Sequence, residues 1–103
     1  MKALRILPEV AADVAEAAHW YDEGGYLGLG DRFVAAFHAC VGHLQERGEI
    51  YRVVYSGFRR VLLRPFPYAL YYRYRGEVLV VVLVVHGARN PRRIRSVLRT
   101  RGV

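Results

Sequence analysis

Cysteine and lysine occur once each, at Cys40 and Lys2, and the second half of the chain holds a single acidic residue, Glu77. A lone cysteine excludes an internal disulfide, and with no Cys/His spacing of the zinc-binding kind it offers no metal cluster. A reducing compartment suits such a chain. Long apolar runs are missing too: the longest, Val78 to Val85, is eight residues, against the roughly 20 that a membrane-spanning helix requires. Met1 to Leu7 is too short for the apolar core of a secretory signal. A soluble, cytoplasmic protein that engages no membrane is therefore expected. There is no phosphate-cradling glycine loop and no Ser/His/Asp set, so no cofactor is expected either. Repeats, linkers and low-complexity tracts are absent.

What is present is arginine. Fifteen of the sixteen basic residues are arginine, and the net charge is +7. Residues 1 to 50 carry four basic side chains against eight acidic ones, a balance of −4. Residues 51 to 103 carry twelve arginines against Glu77, a balance of +11. High genomic GC content favours arginine over lysine without any functional cause, but it does not explain the clustering. The planar guanidinium grips phosphate or carboxylate in bidentate fashion, so the partners expected are nucleic acid, a phosphate-rich assembly or an acidic protein segment. At 103 residues and 53% hydrophobic, the chain is read as one domain, residues 1–103, able to bury roughly 60 to 65% of its unfolded surface.

The stretch from Arg59 to Pro91 reads as three successive strands, because β-branched and aromatic residues lie between Pro and Gly breakers. In the first, Arg60, Leu62 and Arg64 share a face opposite Arg59, Val61 and Leu63, since side chains alternate across a strand. In the second, Tyr68, Leu70, Tyr72 and Tyr74 oppose Ala69, Tyr71, Arg73 and Arg75. After a Gly76-Glu77 turn, Val78 to Val85 is apolar on both faces and predicts a strand covered on each side.

Upstream, Lys2 to Leu7 alternates as a short strand that Pro8 ends. The spacing of Val10, Val14, Ala17, Ala18 and Tyr21 then predicts a helix that Gly24-Gly25 terminates. A second helix spans about Gly30 to Arg47, with Leu29, Phe33, Ala36, Phe37, Cys40 and Leu44 on one face and Gly48 as its expected cap. Cys40 in that stripe reads as a small core residue. Arg52 to Tyr55 is a short strand followed by a Ser56-Gly57 turn. Arg92 to about Arg101 is a short helical segment, marginal alone, with Ile94, Val97 and Leu98 on one side. The fold expected is α+β: an N-terminal strand, a helical hairpin, an antiparallel sheet of three to four strands and a short C-terminal helical segment.

This order, together with Pro8, Asp13, Glu16-Ala17, Trp20-Tyr21, Gly28-Leu29-Gly30, Arg32-Phe33, Arg60-Val61-Leu62, Phe66-Pro67-Tyr68, Tyr71-Tyr72, His86, Arg89 and Pro91, resembles the RelE/ParE superfamily of type II toxin–antitoxin toxins. The likeness is to the ParE-like, plasmid-stabilisation branch and covers residues 1 to about 91. The chain departs from it at Gly48-Glu49, where relatives often place a proline, and in its arginine-dense tail.

Two activities are implied by the resemblance. A ParE-like member binds DNA gyrase, without enzymatic chemistry, and traps its cleaved DNA complex. A RelE-like member is an endoribonuclease that cleaves messenger RNA in the ribosome, which needs a base, an acid and cations around the phosphorane. For that second activity the candidates by residue type are Arg60, Arg64, Tyr72, His86 and Arg89. His86 reads either as a proton-transfer group or as a hydrogen-bonded turn residue, and the tyrosines either as site residues or as sheet-edge packing. Arg60 calls for an anion, external or supplied by an acid on the first helix. Either kind of member implies a cognate acidic antitoxin and a toxin–antitoxin hetero-oligomer. Arg60, Arg89, Arg92, Arg93, Ile94, Val97 and Leu98 are the candidate target- or antitoxin-binding residues, with the apolar side of Val78 to Val85. The gyrase reading is preferred. A third reading is a non-toxic nucleic-acid-binding module, in which Tyr71, Tyr72 and Tyr74 interleaved with Arg73 and Arg75 stack on bases.

Overall fold

The apolar run after the Gly76-Glu77 turn becomes β5 (Val78–His86), and every residue from Leu79 to Val85 is buried. In the computed structural model, which describes residues 2–102, β5 lies between β1 (Ala3–Ile6) and β4 (Tyr68–Arg75). The sheet continues through β3 (Phe58–Leu62) to β2 (Val53–Tyr55), in the order β1-β5-β4-β3-β2. It thus has five strands where three to four were expected. It is also mixed, because β1 runs parallel to β5 from Ala3↔Val78 to Ile6↔Val81. The parallel pairing follows from the connection: the whole helical hairpin intervenes between β1 and the other strands, long enough for a crossover.

α1 (Pro8–Glu23) and α2 (Leu29–Arg47) cover one face of the sheet. Proline at the first helical position starts α1, and Val10, Val14 and Ala17 form its buried stripe. On α2 the core is made by Phe33, Phe37, Val41 and Leu44. Cys40 is half-buried beside that stripe, at the margin of the core. The two helices approach closely at Gly30, whose N–H donates to Asp22 Oδ1 at 2.9 Å. A Cβ there would fall 2.6 Å from the Ala18 carbonyl oxygen, so glycine is required for the approach.

Gly48 is the C-cap of α2 as expected, its N–H donating to the Leu44 carbonyl; its φ of −63° needs no glycine, and it opens a short 3-10 turn, Gly48–Ile50. The physical reason for glycine is instead proximity. Its carbonyl accepts the Tyr72 hydroxyl at 2.6 Å, and a side chain would collide with the Tyr74 hydroxyl.

α3 (Pro91–Arg101) packs on the opposite face of the sheet, with Ile94 and Leu98 buried. Asn90 caps it by accepting the Arg92 N–H at 2.8 Å. At its end, the Gly102 carbonyl accepts from Arg73, which alternates with Tyr72 and Tyr74 on β4 and so faces away from the hairpin. Burying Ile94 and Leu98 contributes about 2 kcal/mol each, enough to hold a helix of 11 residues that is marginal alone.

Candidate functional site

A difference in strand length creates a groove between α1 and α3. β1 stops at Ile6, because Pro8 follows, while β5 runs on to His86. Beyond the Ile6↔Val81 rung, that edge of β5 has no neighbouring strand. Two side chains stand in for one. Asp13 Oδ2, from α1, accepts the Val84 N–H at 3.1 Å, and Arg101 Nη1, from α3, donates to the Val82 carbonyl at 3.2 Å. The two side chains also bind each other in bidentate fashion, at 2.6 and 3.0 Å. This pair is mostly shielded, with side-chain exposures of 19% for Arg101 and 15% for Asp13. The Asp13 hydrogen bond raises the guanidinium pKa, with burial opposing.

Between α1 and α3 this arrangement leaves a groove of about 350 Å³. Asp13 and Arg101 line its inner end, Ala17, Ile94 and Val97 form apolar walls, and Trp20, Glu16, His86, Arg89 and Arg93 surround the remainder. Trp20 is 66% exposed, a large indole with little to cover it. Beneath the rim an aromatic cluster stiffens the sheet end: Phe33 meets Phe66 and Tyr68 at ring-centroid distances of 5.1 and 4.9 Å. Burial first, then the Glu16 carboxylate, push the Tyr68 hydroxyl up, with Arg89 opposing. That phenol is protonated at neutral pH.

The ribonuclease candidates are not brought together. His86 and Arg89 line the α1–α3 groove, whereas Arg60 and Arg64 line a separate cavity of about 540 Å³ beside α2, with Cys40, His43 and Tyr51. Tyr72 joins neither. It is wholly buried under the helical hairpin, its hydroxyl donates to Gly48, and burial pushes its pKa up. The edge position imagined for its hydroxyl is thus corrected: alternation put Tyr72 on the right strand, but its face is the covered one. His86 is exposed, and its Nδ1 accepts the Ala88 N–H at 3.0 Å, so it serves the turn and also faces the groove.

The candidate docking residues divide as well. Ile94 and Leu98 are buried against the chain's own sheet, as is the apolar length of β5, so neither is an open surface. Val97 is half-buried at the groove wall, while Arg60, Arg89, Arg92 and Arg93 are exposed. Arg60 finds no acid on α1; among the described residues, Arg101 is the arginine that pairs with a carboxylate. The Asp13–Arg101 pair escaped the sequence reading, in which Asp13 figured only among the residues that carry the family resemblance. Its position next to Val14, on the flank of the buried stripe, was the available signal.

Among curated proteins none matches this chain. By structure it is similar to a chain of the chromosomal ParDE TA system from P. aeruginosa, with a TM-score of 0.72 at 20% identity over 84% of this chain and 96% of that one. Such identity speaks for the fold. A family model described as the ParE toxin of the type II toxin–antitoxin system parDE matches residues 4–91, from β1 to the first residue of α3. The chain belongs to the ParE toxin family of type II toxin–antitoxin systems.

Proposed function

We propose that this ParE-family protein arrests growth by binding DNA gyrase in the cytoplasm, and that a cognate acidic antitoxin neutralises it. The observation that carries the choice of gyrase over messenger RNA is the dispersal of the acid–base candidates. Tyr72 is in the core, and His86 with Arg89 lines a different cavity from Arg60 with Arg64. A ribonuclease needs its base, acid and phosphorane-stabilising cations around one phosphate, whereas an inhibitor needs only a complementary surface.

Arg60, Arg89, Arg92 and Arg93 are exposed with no carboxylate partner among the described residues, which supports their role in docking. For the antitoxin, the α1–α3 groove is the favoured seat. Its apolar walls and the exposed Trp20 suit an apolar segment, and Arg89 and Arg93 suit acidic residues beside it. Val97 remains a candidate contact there, while Ile94 and Leu98 act by holding α3 in place.

Induced expression of the chain, with growth, DNA-damage response and message integrity followed together, tests the target. Arrest with a DNA-damage response and intact messages is expected; codon-phased message cleavage would instead make the chain a ribonuclease. The Arg60→Ala, Arg89→Ala double variant should lose toxicity while keeping its fold, and undiminished arrest removes both residues from the interface. Coexpression with an acidic reading frame of the same operon should yield a copurifying complex, and failure to copurify counts against the antitoxin reading.

A further inference from the structure

On the sheet face that carries α3, three arginines line one cavity that adjoins the α1–α3 groove at Arg101, with Glu9 as the acid beside them. Strand register places Arg5 of β1 and Arg73 of β4 on the same rung, each paired with Val80 of β5. Their backbones therefore stand about 10 Å apart, two strand spacings, with the small Val80 side chain between. Arg75 follows two residues along β4 on the same face. All three line one cavity of about 270 Å³ that is floored by Val80 and Val82 and bounded by the start of α1 and the end of α3.

The charges in this cavity are unevenly committed. Arg101 also lines it, but its guanidinium is bound to Asp13. Arg73 is fixed in place: its guanidinium lies 5.0 Å above the Phe58 ring and donates to the Gly102 carbonyl. Arg5 and Arg75 are exposed and, among the described residues, make no ion pair. Glu9 is the acidic residue on the lining. Arginines from two strands, Arg5 of β1 and Arg73 with Arg75 of β4, thus line the cavity from opposite sides of Val80. That arrangement suits a tetrahedral, multiply charged oxyanion better than a flat carboxylate, which offers only two oxygens in a plane.

We propose that the Arg5–Arg73–Arg75 cavity is a phosphate-binding site, separate from the α1–α3 groove and independent of the gyrase reading. Its ligand is a phosphate group, carried by a free nucleotide or by a nucleic-acid strand.

The purified full chain can be titrated with inorganic pyrophosphate by calorimetry, alongside the Arg5→Ala, Arg75→Ala double variant. An Arg32→Ala, Arg47→Ala variant, altered on the exposed surface of α2, loses the same net charge elsewhere. Saturable binding weakened by about tenfold or more in the first variant, and by no more than about twofold in the second, is expected where charge-assisted hydrogen bonds rather than overall charge hold the anion. Since Arg5 and Arg75 are exposed, the first variant should unfold at the wild-type temperature. No saturable binding, or equal weakening in both variants, overturns the proposal. A labelled single-stranded oligonucleotide separates the two sources. Displacement of the oligonucleotide by pyrophosphate assigns the site to a strand's phosphate, and saturable pyrophosphate binding without displacement assigns it to a free nucleotide.

Discussion

Tyr72 and Tyr74 lie on one face of β4, two residues apart, and meet opposite fates. The Tyr72 hydroxyl donates to the Gly48 carbonyl at 2.6 Å, whereas the Tyr74 hydroxyl is buried without a hydrogen-bond partner among the described residues. Removing a satisfied donor leaves an orphan acceptor, while removing an orphan costs nothing of the kind. Tyr72→Phe should therefore lower stability by about 1–2 kcal/mol, and Tyr74→Phe should be neutral or stabilising by up to about 1 kcal/mol. Urea unfolding of the two variants checks this, and equal losses would contradict it. Cys40 supplies a second prediction, for burial pushes its thiol up to about 11. Between the ordinary thiol range and that value the folded state holds the proton more tightly than the unfolded state. This contribution is fully present at neutral pH and is lost as pH rises through the window. Alkylation at pH 8 should accordingly run at least about tenfold slower in the folded protein than in denaturant. The alternation in the Tyr-rich stretch was legible in the sequence, but which face the hairpin covers was not. Period-2 patterning separates two faces without saying where distant helices will pack.

At the scale of elements, α3 depends on tertiary anchors. Its cap at Asn90 and its buried Ile94 and Leu98 are local features that the sequence carries openly. The Asp13–Arg101 pair joins residues 88 apart in the chain, and no local pattern announces it. Asp13→Ala would strand a shielded guanidinium and free the Val84 N–H, at a cost of about 3 kcal/mol. Adding Arg101→Met to that variant should recover part of the loss, because the unpaired charge is then gone. Thermal unfolding of the single and double variants tests this; no recovery would mean that the pair does not act as a unit. The sheet shows the same division between local and distant information. Each strand is visible in its own residues, yet the parallel docking of β1 beside β5 is a contact across most of the chain, so the expected sheet lacked that strand. The groove comes from the same mismatch, since β1 is four residues and β5 is nine.

For the molecule as a whole, the contrast between an acidic first half and a basic second half survives folding as a surface on which arginines go unpaired. Among the described residues, Asp13 with Arg101 is the carboxylate–arginine pair, and the other acids of α1 and α2 make no ion pair with the arginines of β3, β4 and α3. That free positive charge makes an external anionic or acidic partner the central expectation. Direct contact with gyrase is tested by adding the purified chain to purified gyrase and supercoiled DNA with ATP, then counting protein-linked double-strand breaks. Breaks that accumulate with toxin concentration, and that fail to accumulate with the Arg60→Ala, Arg89→Ala variant, are the predicted result. Unchanged supercoiling and no breaks at saturating protein would contradict it.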